Sequence, residues 1–309
     1  MSASESDDEV VLDKEYVGAP PPPGVHVPTA SELLSLCDAE VPRSTLTLPS
    51  DPPSGVPAIW VKYGYAVYWN EVLAQSMAYH ELRRLGSAAR APAVYYAFQL
   101  YHTVYLVMEY IPGRTVGEAM EDETTSDEEK EHIKSLVALC LSEMHRIPIA
   151  PGTRPTAIDG GKLRYTGLDD SRGPRYYENT DQLEAHMNKE PMVFCQSDWY
   201  HGNFMIDDAG RIVAIDFSET SIVPASFARY KLYDHRLAFD LPLEQVYIPM
   251  EGGIDNVNAV NSVCGIMAMA SYFFARVGKR TPGGTDEEQQ RLKETSKSYY
   301  PRPDEKLET

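Results

Sequence analysis

The stretch from Val193 to Phe217 constrains this chain more than any other. Val193 to Cys195 is a short apolar run, Gln196 to Asn203 a polar segment, and Phe204 to Ile206 apolar again. Asp207-Asp208-Ala209-Gly210 has turn chemistry, with Gly210 able to take φ > 0. Ile212 to Phe217 is a second apolar, β-branched run. The pattern predicts strand, loop, strand, turn, strand. It leaves three polar groups, Asp198, Asn203 and Asp216, at the ends of an otherwise buried hairpin.

Those three groups have the spacing of a phosphoryl-transfer site. Asp198 to Asn203 is Asp-x-x-x-x-Asn, and Asp216 follows thirteen residues later, ahead of Phe217. A hydroxyl nucleophile needs a carboxylate to orient it and accept its proton, a role that fits Asp198. Mg²⁺ is a hard cation that prefers oxygen ligands. Asn203 offers a neutral oxygen and Asp216 a charged one. The plainer reading is a hairpin with turn aspartates.

The 309 residues allow one large or two modest domains. No run reaches the roughly 18 uninterrupted apolar residues of a membrane span. The nearest, Val257 to Val277, contains Asn258, Asn261, Ser262 and Ser271 and reads as a core helix. The N-terminus has neither a basic nor an apolar leader segment, so a secretory signal is not expected. A net charge of −18 disfavours nucleic acid and anionic lipid as partners. The same charge suits a cationic small substrate, although solubility and acidic tails explain it as well. Four scattered cysteines match no metal-binding spacing and fit a reducing, cytoplasmic setting.

In chain order, residues 1–28 are acidic and then proline-rich, and are expected to form a disordered tail. Thr29-Ala30-Ser31-Glu32 has the form of a capping box. Leu46 and Leu48 suggest a strand, and Ala58 to Tyr63 is a clear one that carries Lys62 near its end. In kinases such a lysine binds nucleotide phosphates and pairs with a glutamate on the following helix. Asn70 opens that helix here. Glu71 is the preferred partner and Glu81 the competitor. Plainer readings are a surface lysine and a carboxylate favoured by the helix N-terminus.

Strands are expected over Pro92 to Phe98 and Val104 to Ile111. The second ends at Glu109-Tyr110-Ile111-Pro112-Gly113, where a hinge between two lobes would offer backbone at Glu109 and Ile111 to an adenine ring. An edge strand followed by a turn is the alternative. Ser126 caps a patterned helix in which Ile133, Leu136, Val137, Cys140, Leu141 and Met144 recur at three and four; His145 receives no catalytic role. Residues 148–190 are irregular up to a short helix over 181–188. Helix is expected again over 259–277, and 281–309 reads as a C-terminal tail.

Val61-Lys62-Tyr63-Gly64, Asn70-Glu71, Met108-Glu109-Tyr110-Ile111-Pro112-Gly113, Asp159-Gly160-Gly161, Gln196-Ser197-Asp198, Asn203 and Ile215-Asp216-Phe217 together carry a resemblance. The chain resembles the aminoglycoside phosphotransferase and choline kinase-like family, nearest its fungal members with a short Gln-Ser-Asp loop, over roughly residues 45–275. The resemblance implies an α+β, two-lobed protein-kinase-like fold. Residues 29–111 would form a small β-rich N-lobe on the nucleotide side, and 112–280 a larger, mostly helical C-lobe.

The same resemblance implies ATP and Mg²⁺ as cofactors and a hydroxyl-bearing small molecule as acceptor. Asp198 would be the catalytic base, Asn203 and Asp216 the metal ligands, and Lys62 a phosphate-binding residue paired with Glu71. A monomer is expected. Three features depart from the family pattern. Gln196-Ser197-Asp198 replaces His-Gly-Asp, Phe-Ser follows Asp216, and the only candidate for a glycine-rich phosphate loop is Pro53-Ser54-Gly55-Val56. A protein kinase would need His-Arg-Asp and Ala-Pro-Glu, which are absent. A pseudokinase-like nucleotide-binding or scaffold protein without turnover is the other alternative.

Overall fold

The computed structural model describes residues 11–37, 40–49, 57–165, 190–232, 240–250, 256–258 and 260. The chain divides into two compact units. Residues 1–166 and 176–260 form the first, and 167–175 with 261–309 form the second, which lies outside the described residues. The helices expected over 181–188 and 259–277, the tail 281–309 and the loop candidate Pro53 to Val56 also lie outside them, apart from Val260.

A five-stranded antiparallel sheet dominates the N-terminal half. Its strands are β1 (Lys14–Val17), β2 (Ser44–Pro49), β3 (Pro57–Gly64), β4 (Val94–Leu100) and β5 (Thr103–Glu109), in the order β1-β4-β5-β3-β2. Burial follows position in the sheet. Central β5 is buried at every residue from Thr103 to Met108, whereas edge strand β2 alternates along its length. One face packs Ile59, Val61, Tyr63, Phe98, Tyr105 and Val107 around Leu33 of helix α1 (Ala30–Leu36). The Phe98 and Tyr105 rings stack there at 4.4 Å. The other face sets Val94, Ala97, Val104, Leu106 and Met108 against Val72 of helix α2 (Trp69–Arg84). Each Val, Leu, Ile, Phe or Met among them contributes about 1.5–3 kcal/mol on full burial. The capping box at Thr29 forms as expected, with Glu32 closing it.

The N-terminal segment departs from the disorder expected of 1–28. Lys14 to Val17 pairs with β4, in register from Lys14 opposite Gln99 to Val17 opposite Tyr96. Further bonds from Gly18 N to Tyr95 O (3.0 Å) and Ala19 N to Val94 O (2.8 Å) extend the ladder. Ala19 is buried, and the Tyr16 hydroxyl meets that of Ser76. Lys-Glu-Tyr-Val shows no apolar alternation. Its strand comes from a free sheet edge, which composition cannot reveal.

Beyond the sheet the chain forms β6 (Gly113–Thr115), α3 (Val116–Glu121), α4 (Asp127–His145), β7 (Thr156–Ala157), β8 (Met192–Gln196), β9 (Phe204–Asp207), β10 (Ile212–Ala214), β11 (Thr220–Pro224) and α5 (Ala225–Lys231). The patterned face of α4, with Val137, Cys140, Leu141 and Met144, packs on Phe194, Phe204 and Phe217 as its periodicity predicts. The Val193–Phe217 stretch is more divided than expected. β9 and β10 do form a hairpin whose turn includes Gly210 at φ 74°. β8 instead joins a separate three-stranded sheet, in the order β7-β11-β8. The last strand stops at Ala214, so Asp216 lies in the irregular segment ahead of the Ser218–Glu219 turn rather than at a strand end.

Candidate active site

Strand β3 and helix α2 set the first pair of groups. Lys62 faces inward from β3 and is 6% exposed; Glu71, in the first turn of α2, is 1% exposed. The Lys62 ammonium is ion-paired with Glu71 and lies 3.2 Å from Asp216 Oδ1. Glu81, the competing glutamate, instead binds Arg84 on the surface at 2.6 Å. Helix geometry explains the choice: Glu81 falls on a more exposed face of α2 and already has a partner three residues away.

The helix starts at Trp69, one residue before Asn70, and the Asn70 side chain is committed elsewhere. Its Oδ1 accepts from Ile158 N (2.7 Å) and its Nδ2 donates to Thr220 O (2.9 Å). This buried amide holds the start of α2, and with it Glu71, against β11.

The catalytic-loop candidate is fixed by its own side chains. Gln196 stands at the end of β8 and donates to Ile215 O (2.9 Å) and Asp216 O (3.1 Å). The glutamine therefore pins the Asp216 segment to the loop. Trp199 Nε1 donates to Gln196 O at 2.7 Å, and Ser197 N donates to Glu219 O at 2.9 Å. Asn203 Nδ2 donates to both Asp198 O and Asp198 Oδ2, each at 3.0 Å. Asn203 O accepts from Ile215 N at 2.9 Å. Asp198, Asn203 and the Asp216 segment are thus one hydrogen-bonded assembly, with Asp198 half-buried.

Asp216 adopts φ 54°, a left-handed conformation that costs a non-glycine residue roughly 1–2 kcal/mol and that aspartate tolerates better than most. Burial works against charge on Asp216, but the Lys62 ammonium and then the Arg43 guanidinium hold its carboxyl below the ordinary range. Burial pushes Glu71 the other way, above the ordinary carboxylate range, with the Lys62 charge opposing. The second Glu71 oxygen, Oε2, is buried with no hydrogen-bond partner.

A cleft of about 420 Å³, within the ordinary range for small-ligand sites, is lined by Lys62, Glu71 and Asp216, whereas Asp198 and Asn203 are not among its lining residues. Trp60, Met108, Ile111, Met205 and Ile215 supply apolar lining, and Arg43, Lys62, Glu71 and Asp216 supply charge. The segment after β5 behaves as a fixed crossing. Glu109 lines the cleft, but its carboxylate is bound to Arg90 and accepts from Ala93 N at 3.1 Å. Its backbone N–H donates to Ala93 O at 2.8 Å. Gly113 takes φ 131°, and a Cβ there would lie 2.0 Å from Ile206 O, so only glycine lets β6 lie against β9.

The structure therefore brings Lys62, Glu71, Glu109, Ile111 and Asp216 to one cleft and ties Asn203 and Asp198 to its Ile215 wall. Arg43 is the site residue that sequence reasoning missed. It precedes an edge strand and carries no motif, so nothing local marks it. Among the described residues no cluster of three His, Cys, Asp or Glu side chains stands ready for a metal. No described helix is long and apolar enough to cross a membrane.

The model of the phosphotransferase enzyme family matches residues 70–233. Among solved structures, the chain is similar to a thermostable mutant of aminoglycoside phosphotransferase APH(4)-Ia in its apo form, at 14% identity and a TM-score of 0.40, covering 86% of this chain and 87% of that one. It is similar to spectinomycin phosphotransferase APH(9)-Ia in complex with ADP and spectinomycin, at 13% identity and a TM-score of 0.41, covering 84% and 89%. A third likeness is to the streptomycin–ATP–APH(2")-IIa ternary complex, at 14% identity and a TM-score of 0.40, covering 87% and 96%. No curated protein sequence matches the chain.

Proposed function

Because the chain belongs to the phosphotransferase enzyme family, we propose that it transfers the γ-phosphate of ATP to a hydroxyl group of a small molecule. The observation that carries this reading is the hydrogen-bonded link between two assemblies, one of which lines the cleft. The Lys62–Glu71–Asp216 ion-pair cluster and the Asp198–Asn203 loop meet through the Ile215–Asp216 segment. Asp198 acts as general base toward the acceptor hydroxyl, and Asn203 holds its carboxylate in place. Lys62 binds phosphate and is oriented by Glu71. The adenine ring lies between the apolar walls, with backbone at Glu109 and Ile111 at its edge. On this reading residues up to about 111 form the nucleotide side, now beginning at Lys14 instead of residue 29, and 112–280 carry catalysis and acceptor binding.

The donor set fits Mg²⁺. With its amide nitrogen committed to Asp198, Asn203 presents a neutral oxygen, and Asp216 presents a carboxylate. When bound, Mg²⁺ supplies charge neutralisation to the phosphate oxygens. The acidity of the chain favours a cationic acceptor, and the reading places the enzyme in the cytoplasm as a monomer.

A second reading, a nucleotide-binding scaffold without turnover, is favoured by one observation. Both oxygens of Asp216 are engaged by side-chain cations, Oδ1 by Lys62 and Oδ2 by Arg43. An untargeted screen for ATP-dependent phosphorylation of metabolites by the purified protein separates the two. Phosphorylated product from wild type and none from Asp198→Asn supports transfer. MgATP binding with neither product nor ATP hydrolysis supports the scaffold.

A further inference from the structure

Arg43 has no place in the roles assigned so far, yet its guanidinium enters the charged end of the cleft. Its Nη1 donates to Asp216 Oδ2 at 3.2 Å, across 173 positions of sequence. The side chain keeps 42% exposure, and a guanidinium carries five N–H donors in a planar fork. One bond to Asp216 leaves donors available on the cleft side.

The backbone that delivers Arg43 is built for the purpose. Tyr65 N donates to Val41 O (3.2 Å) and Ala66 N to Pro42 O (2.7 Å). These bonds clamp residues 41–42 against the end of β3. Gly64 makes the close passage possible: it takes φ 135°, and a Cβ there would lie 2.4 Å from Pro42 O. The register of β2 on β3 then sets Thr45 opposite Lys62. Arg43 therefore leaves the sheet beside Lys62 and on the same side as the cleft.

Among the described residues β2 is the edge strand of this sheet. Among the described lining residues the one glycine is Gly113, which is packed against Ile206. In kinases a glycine-rich loop covers the phosphates. Arg43 and Lys62 are the two cations among the described lining residues.

Charge balance completes the argument. Lys62 is held by a buried Glu71, so its partner does not change readily. Among the described residues Arg43 is held at Asp216 Oδ2 and, being more exposed than Lys62, is the cation better able to exchange partners. A divalent cation taken up by Asp216 would release the guanidinium beside whatever phosphate shares that cation. A planar fork suits bidentate phosphate binding.

We propose that Arg43 is a nucleotide phosphate-binding residue that pairs with Asp216 until a phosphate takes its guanidinium. This inference rests on the nucleotide reading given above. The test is calorimetric binding of adenosine, MgADP and MgATP to wild type, Arg43→Lys and Arg43→Gln. The expected result is a loss for Arg43→Gln of roughly tenfold or more in MgATP affinity, smaller for MgADP and absent for adenosine. Arg43→Lys should fall between, since it keeps the charge and loses the fork. Unchanged adenosine affinity reports that the variant is folded.

Equal MgATP affinity in wild type and Arg43→Gln overturns the inference and leaves the phosphotransferase reading standing. Tighter MgATP binding by Arg43→Gln also overturns it, because Arg43 would then be a competitor for Asp216. If wild type binds neither adenosine nor MgATP, both readings fall together.

Discussion

Gln196 holds Asp216 from behind: its side-chain amide, at the end of β8, donates to the carbonyls of Ile215 and Asp216 at 2.9 and 3.1 Å. The segment that carries Asp216 is thereby locked to the loop that carries Asp198, in a left-handed conformation that would otherwise relax. A neutral amide performs this task without titrating, so the Asp216 segment keeps its support at any pH at which the protein is folded. The substitution of Gln for the usual His is therefore compatible with an intact site geometry.

Asp198→Asn is expected to lower phosphoryl transfer by about 10²–10⁴-fold, the usual loss on removing a general base. The affinity for MgATP should stay the same, because Lys62, Asn203 and Asp216 remain. Asp216→Ala should instead remove the dependence of nucleotide binding on Mg²⁺. The paired measurement is steady-state turnover with calorimetric binding in the presence and absence of EDTA. Full transfer activity in Asp198→Asn would assign the base elsewhere.

Lys62→Ala should cost stability as well as nucleotide affinity. The pair it belongs to is buried, and removing one partner leaves Glu71 and Asp216 without their shared cation. Breaking a buried pair in this way typically costs about 3–5 kcal/mol. Urea unfolding of wild type, Lys62→Ala and the double variant Lys62→Met/Glu71→Leu would show it. The double variant should recover part of the loss. If Lys62→Ala unfolds at the wild-type midpoint, the pair does not contribute as a buried one.

The acid limb of stability should owe a resolvable part to His145. Burial pulls its pKa from 6.5 down to about 4, against the bond that its Nδ1 makes with Tyr247 O at 2.9 Å. The unfolded chain therefore binds a proton that the folded chain excludes. Stability from this group is fully present above pH 6.5 and is lost as the pH falls toward 4, by at most ~1.4 kcal/mol per pH unit. His145→Gln keeps a hydrogen-bond donor and removes the titration. Its unfolding free energy should fall less steeply than that of wild type across this window. Parallel profiles would show that His145 is already protonated in the fold.

Removing residues 1–28 should lower Tm by several degrees. The deletion strips β1 from β4 and exposes the surface beneath Tyr16 and Ala19. Each lost ladder bond is worth about 0.5–1.5 kcal/mol net, and each kcal/mol shifts Tm by roughly 2–4 °C in a domain of this size. An unchanged melting curve would mean that the edge strand adds nothing to the stability of the sheet.

The sequence by itself determined the elements whose side chains answer to local periodicity or to motif spacing. Strand β3 with Lys62, the core face of α4, the β9–β10 hairpin and the Asp198–Asn203–Asp216 set were all legible. Their chemistry is local: period two, period three to four, turn residues, and a fixed number of positions between functional groups. Tertiary structure alone decided the rest. It set β8 beside β11 and not in the hairpin, and ordered a charged N-terminal segment as a strand, while bearing out the preference for Glu71 over Glu81. It also carried Arg43 to Asp216 over 173 positions. The physical reason is the same in each case. Sheet order, edge availability and the close passage at Gly64 are properties of packed backbone. An exposed arginine ahead of an edge strand has no pattern of its own until that packing gives it a partner.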